Sequence, residues 1–153
     1  MEKFVFDDGV REFRVNGGGV LRFNPGDMNL YARFLDAVEQ IRAVEAELVE
    51  AAKGQVDGAQ VLRLMREADR KLKGILSQVF GQGNDLDALL GGVNLLAVAG
   101  NGERVIANLL GALQPILTEG ARRCVQAQVE QAVAEAETER ARRGLRRDTS
   151  YEI

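Results

Sequence analysis

Histidine and tryptophan are both missing from this chain, and cysteine occurs once, at Cys124. Without histidine the chain loses the only side chain whose unperturbed pKa lies near neutrality, and also the commonest metal ligand. A single cysteine excludes an internal disulfide and points to a reducing compartment rather than a stapled secreted module. The opening residues, Met1-Glu2-Lys3-Phe4, lack the basic patch and apolar run of a signal peptide. The longest membrane candidate, Val93 to Ala99, falls far short of the roughly 18 apolar residues that a span requires. A cytoplasmic protein without membrane contact is expected.

Charge of either sign is not in excess. The 23 acidic and 20 basic side chains leave a net charge of −3, so nothing draws the whole molecule to nucleic acid. With 46% hydrophobic and 28% charged residues over 153 positions, the composition is that of one globular domain with a real core.

Patterning divides the chain into segments. Glu12–Val15 and Val20–Phe23 alternate polar and apolar residues around Asn16-Gly17-Gly18-Gly19, which predicts a β-hairpin, with Phe4-Val5-Phe6 a candidate third strand before the Asp7-Asp8-Gly9 turn. Such a hairpin is marginal alone and must lie on helices or on a neighbouring subunit. Asn24 or Asp27 can cap the first helix, whose apolar face runs Tyr31, Phe34, Val38, Ile41 and Leu48 to a stop at Lys53-Gly54. Asp57 caps a second helix whose stripe Val61, Met65, Ala68, Leu72, Ile75, Val79 steps by three and four. The short link predicts an antiparallel pair, with acidic residues on the first helix facing basic ones on the second.

Beyond Gly81-Gln82-Gly83-Asn84, two short glycine-bounded pieces contribute Leu86, Leu89, Leu90, Leu95, Leu96 and Val98 to the expected core. A docking patch is the competing reading. A long helix begins near Glu103, with Pro115 expected to kink or break it. After Gly120 its stripe thins to Cys124-Val125, Val129 and Val133, so residues 121–153 read as an extension that projects or pairs with another chain, its arginine-rich end frayed. The fold class is therefore α+β and predominantly helical: an N-terminal β-hairpin, an antiparallel helical hairpin, short helices and a long C-terminal helix, with 1–120 as the globular domain.

Catalytic equipment is hard to find. Gly81-x-Gly83 and Gly100-x-Gly102 lack the third glycine of a dinucleotide fingerprint and read as helix stops. The carboxylate pairs Asp7-Asp8 and Asp85-x-Asp87 occupy turn and cap positions, and Cys124 has no histidine to serve as its base. No catalytic, cofactor-binding or metal-ligating residues are assigned, and no cofactor is expected. The local charge anomaly is the cluster Arg140, Arg142, Arg143, Arg146 and Arg147. A solvated helix end favoured by the macrodipole explains it first, an acidic protein surface second and nucleic acid third.

Several strings in order resemble a known family. They are Phe13-Arg14-Val15-Asn16-Gly17, Leu21-Arg22-Phe23-Asn24-Pro25-Gly26-Asp27, Val79-Phe80-Gly81, Asp87-Ala88-Leu89-Leu90-Gly91-Gly92-Val93-Asn94 and the helix around Leu109-Leu110. Their arrangement over residues 11–120 resembles the small tail assembly chaperones encoded before the tape-measure protein in phages and prophages of Gram-positive bacteria. The resemblance implies a non-catalytic protein in the host cytoplasm that escorts the long helical tape-measure protein, or another tail protein; the thin stripe after Gly120 points separately to self-association. Tyr31, Phe34 and Leu35 are its candidate contacts, with core packing the competing explanation, and Arg140, Arg142 and Arg143 are further candidates. The alternatives are a structural virion component, such as a tail or connector subunit, and a nucleic-acid-binding regulator acting through the arginine tail.

Overall fold

The Asn16-Gly17 pair sets the first turn. Both residues have positive φ, 51° and 74°, the conformation that matches the twist of two hairpin strands and that asparagine and glycine tolerate best. Strands β1 (Arg11–Arg14) and β2 (Val20–Phe23) pair antiparallel on either side of it, with Phe13 opposite Leu21 and Glu12 opposite Arg22. The alternation puts Leu21 and Phe23 in the core, where Phe23 stacks on Phe13 at 4.6 Å and meets Phe80 at 5.1 Å. The structure, a computed structural model, describes residues 1–54 and 57–151, with side chains through 144. Phe4-Val5-Phe6 forms no third strand; these residues lie exposed.

Asp27, rather than Asn24, caps helix α1 (Met28–Ala52), its carboxylate accepting from the Asn29 amide. Asn24 is drawn elsewhere, accepting from Gly26 N and donating to the Asp8 carbonyl. Helix α2 (Gly58–Phe80) is capped by Asp57 and ends at Gly81, whose φ of 91° suits a residue without Cβ. The two helices pack as the expected hairpin, burying Leu30, Phe34, Ala37 and Ile41 against Ala68, Leu72, Leu76 and Val79. Charge plays a small part in that pairing. Lys71 and Glu47 stand 3.8 Å apart and exposed, a separation at which an ion pair contributes about 0–1 kcal/mol.

Asn84 joins the hairpin to the helices. Buried at 7% exposure, its amide accepts from Arg22 N at 2.9 Å and donates to Arg22 O at 2.9 Å and Phe80 O at 3.0 Å. One side chain thus occupies the outer edge of β2 as a neighbouring strand would. Helix α3 (Leu86–Leu89) follows, then a turn region closed by a bridge between Val98 and Arg104. Of the six residues expected here as core, Leu86, Leu95 and Leu96 are buried and Leu89 and Leu90 pack half-buried against them. Val98 is not core: it is 73% exposed, because the bridge holds its backbone at the rim and turns the side chain outward. The stretch around it is a turn and a bridge rather than a second short helix.

Helix α4 (Val105–Tyr151) starts two residues later than the sequence suggests and runs unbroken through Pro115. Pro115 removes the amide that the Gly111 carbonyl would accept, but both residues are on the exposed side of the helix, where water can serve that carbonyl. Ile106, Leu113, Leu117 and Gly120 face the core. At Gly120 the helix crosses the Pro25-Gly26 loop so closely that a Cβ would stand 1.8 Å from the Pro25 carbonyl oxygen. From Val125 to Gly144 every residue is exposed. The arginine-rich end, where fraying of the last ten or so residues is expected, is helical to Tyr151, and residues 152 and 153 lie outside the described part.

Candidate protein-binding site

Two helices that meet only along part of their lengths leave a groove. Helices α1 and α4 converge over such a trough of about 700 Å³. Phe34 and Ile41 form its buried floor, while Leu35, Val38 and Leu110 give apolar walls. Ala107 and Gly111 keep the α4 side shallow, and Glu39, Arg42, Glu45 and Gln114 supply a polar rim. Leu35 is 50% exposed, so its side chain on the trough wall is open to solvent. The trough can take an apolar stripe of another helix and offers both charge signs at its border.

The candidate contacts separate by burial. Phe34, at 3% exposure, belongs to the core and is closed to a partner in this conformation. Its spacing of three from Tyr31 and four from Val38 puts it at the centre of the buried face, and packing against α2 covers it. Tyr31 is half-buried against the same core and lies outside the trough, whereas Leu35, one position round the helix from Phe34, stands on its wall. Val38, from the apolar face of α1, and Leu110 of α4 share that wall.

Arg140, Arg142 and Arg143 lie exposed on the far part of α4, distant in sequence from the trough; Arg143 approaches Glu139 at 3.5 Å. The other polar groups that sequence reading singled out have local partners. Asp7 and Asp8 accept from Gly9 and Val10 amides in consecutive turns, and Asp85 caps α3. Asp87 meets Lys73 at 2.5 Å, and Lys73 also holds Asp69 at 2.9 Å, whose other oxygen accepts from the Leu95 amide. Burial lowers the Lys73 pKa, but hydrogen bonds to Asp87 and Asp69 outweigh it and the net shift is upward. This cluster, which the sequence reading did not find, ties α2 to α3 and to the turn after it. Its only sequence signal is the i,i+4 spacing of Asp69 and Lys73.

Among the described residues no group of three or more acidic, cysteine or histidine side chains is arranged to hold a metal, and no helix is long and apolar enough to cross a membrane. The fold defines an α+β protein dominated by helices. The chain matches no family model, no curated protein and no solved structure.

Proposed function

We propose that this chain is a non-catalytic binding protein that shields a helical partner, and specifically a phage tail assembly chaperone for the tape-measure protein in the host cytoplasm. The observation that carries the reading is the α1–α4 trough of about 700 Å³, apolar on its walls and polar at its rim. A long amphipathic helix aggregates through its apolar face when unpartnered. Laying that face on Leu35, Val38 and Leu110 removes it from water without chemistry, and the mixed charges of Glu39, Arg42 and Glu45 fix orientation rather than affinity. Arg140, Arg142 and Arg143 present a basic surface further along α4 to acidic stretches of the same partner.

Co-expression with the tape-measure protein of the same genome tests the reading. The expected outcome is a soluble client that co-purifies with the wild-type chain and is lost with Leu35→Glu, a substitution at a half-exposed site that leaves the helical circular dichroism unchanged. A client that precipitates while this protein stays soluble and alone overturns the proposal.

A further inference from the structure

Strand β1 is paired on one side only. Arg22 spends its amide and carbonyl on Asn84, so its backbone polar groups point away from β1. Its register partner Glu12 is therefore a wide pair whose own amide and carbonyl point away from β2, and alternation gives Arg14 the same orientation. The outer edge of β1 is thus a short open template, while the outer edge of β2 is occupied at Arg22 by the Asn84 amide.

The segment before β1 has the composition of a strand and is not used as one. Phe4, Val5 and Phe6 are 86%, 84% and 70% exposed, and the two aromatic rings stack only on each other, at 6.1 Å. Asn24 clamps the root of the segment through the Asp8 carbonyl, and Gly9 adopts a φ of 77°.

We propose that Glu2–Phe6 of one copy adds to the outer edge of β1 in a second copy as a parallel strand. Side-chain alternation and charge select this register. Set parallel with an offset of nine, Glu2 faces Arg11, Lys3 faces Glu12, Phe4 faces Phe13 and Phe6 faces Val15. Both aromatics then extend the apolar side of β1, and each charge meets its opposite. Antiparallel registers that keep both aromatics on that side place Lys3 opposite Arg14 or Asp7 opposite Glu12, like against like. A chain's own segment can reach its own β1 only antiparallel, because the link Asp7–Val10 is four residues long and a parallel return needs about a dozen residues. The favourable register is therefore open to a second copy and closed to the chain itself, which accounts for the unpaired segment in the isolated chain. Among the described residues Arg11 lies over the Phe13 ring at 5.1 Å with no carboxylate partner, which leaves its charge to Glu2, while Glu12 is paired with Arg22 at 3.2 Å on the exposed face and would share that pair with Lys3.

Sedimentation across a dilution series, with no client present, reads this contact separately from the chaperone reading. The wild-type chain is expected to sediment as a multiple of 16.7 kDa, and the Phe4→Glu/Phe6→Glu variant as a 16.7 kDa monomer with unchanged circular dichroism. Glu2→Arg should weaken association several-fold and Glu2→Arg with Arg11→Glu should restore it. On a Cys124→Ser background, chains carrying Lys3→Cys should form disulfides with chains carrying Glu12→Cys in preference to Arg14→Cys. A wild-type monomer at every concentration, an oligomer that survives the double phenylalanine substitution, or preferential coupling to position 14 overturns the proposal.

Discussion

Helix α4 is two helices in one. Between Val105 and Gly120 its inward positions are Ile106, Leu113, Leu117 and Gly120, all buried, while from Val125 to Gly144 the same winding carries Val125, Val129 and Val133 with each more than half exposed. The first part is held by packing. The second spans about 30 Å and stays helical on local terms: alanine, glutamate, glutamine and arginine favour the helix, and pairs such as Gln126–Glu130 and Gln131–Glu135 add a few tenths of a kcal/mol each. Helix propensity and core membership are thus separate properties, and what distinguishes the halves is whether other elements pack on the inward face. A projecting helix with a thin valine stripe keeps its own backbone satisfied and leaves a surface for something else.

The contrast breaks most sharply under matched truncations. Leu117 is fully buried, so Leu117→Ala should cost about 2–5 kcal/mol through lost burial and the cavity left behind. Val129→Ala, on the projecting half, should change the stability of the dilute chain by less than about 0.5 kcal/mol. Urea denaturation of both variants measures the ratio. A comparable loss at Val129 means that the far half is packed in solution.

The boundary between the halves is set by backbone contact at Gly120. Alanine favours a helix over glycine by about 1 kcal/mol, so a solvated Gly120→Ala change stabilises. Here a Cβ meets the Pro25 carbonyl, and the substitution should instead destabilise by about 1–3 kcal/mol as the helix shifts off the loop. Gly144→Ala, with open space around its Cβ position, is the matched control and should have the opposite sign. Thermal melts of the two variants decide it.

The Asn84 amide is the polar counterpart of that contact. Asn84→Ala leaves Arg22 N and O without their partner at a part-buried edge and should cost about 1–3 kcal/mol. Faster hydrogen exchange at the Arg22 amide, with the α1–α2 core still protected, is the expected local signature.

How much of this was legible beforehand follows from what periodicity encodes. The alternation around Asn16-Gly17 and the three-four steps of Val61 to Val79 specify a hairpin and a helix because each reports one buried face. Pro115 misleads because tolerance depends on which side of the helix Gly111 and Pro115 face, and Val98 misleads because a bridge rather than a stripe orients it. Gly120 and Asn84 carry no periodic signal: one acts by lacking an atom where two backbones cross, the other by imitating a strand. The trough was half visible. Leu35 was read as a contact, but its neighbours Leu110 and Gly111 lie some 75 positions on and come together with it only in three dimensions.

The smallest expected effect lies just before the projecting half begins. Glu119 receives hydrogen bonds from Arg122 and Arg123, and the Arg122 bond is the main cause that lowers its pKa to about 2, against an opposing desolvation. A carboxylate whose folded pKa is depressed contributes stability that is fully present above its unfolded value, near 4.5, and is lost as pH falls toward 2. Because the group is exposed, the effect on the global transition is small, and its local signature is clearer. Carbon-detected titration of the Glu119 side chain should show it ionised at pH 3, where an unpaired glutamate such as one in the unfolded chain is largely protonated. With Arg122→Gln its midpoint should rise toward the ordinary value. A midpoint already ordinary in the wild-type chain means that the arginine pair does not hold this turn, and that helicity at the junction rests on residue propensity and the Pro25 contact.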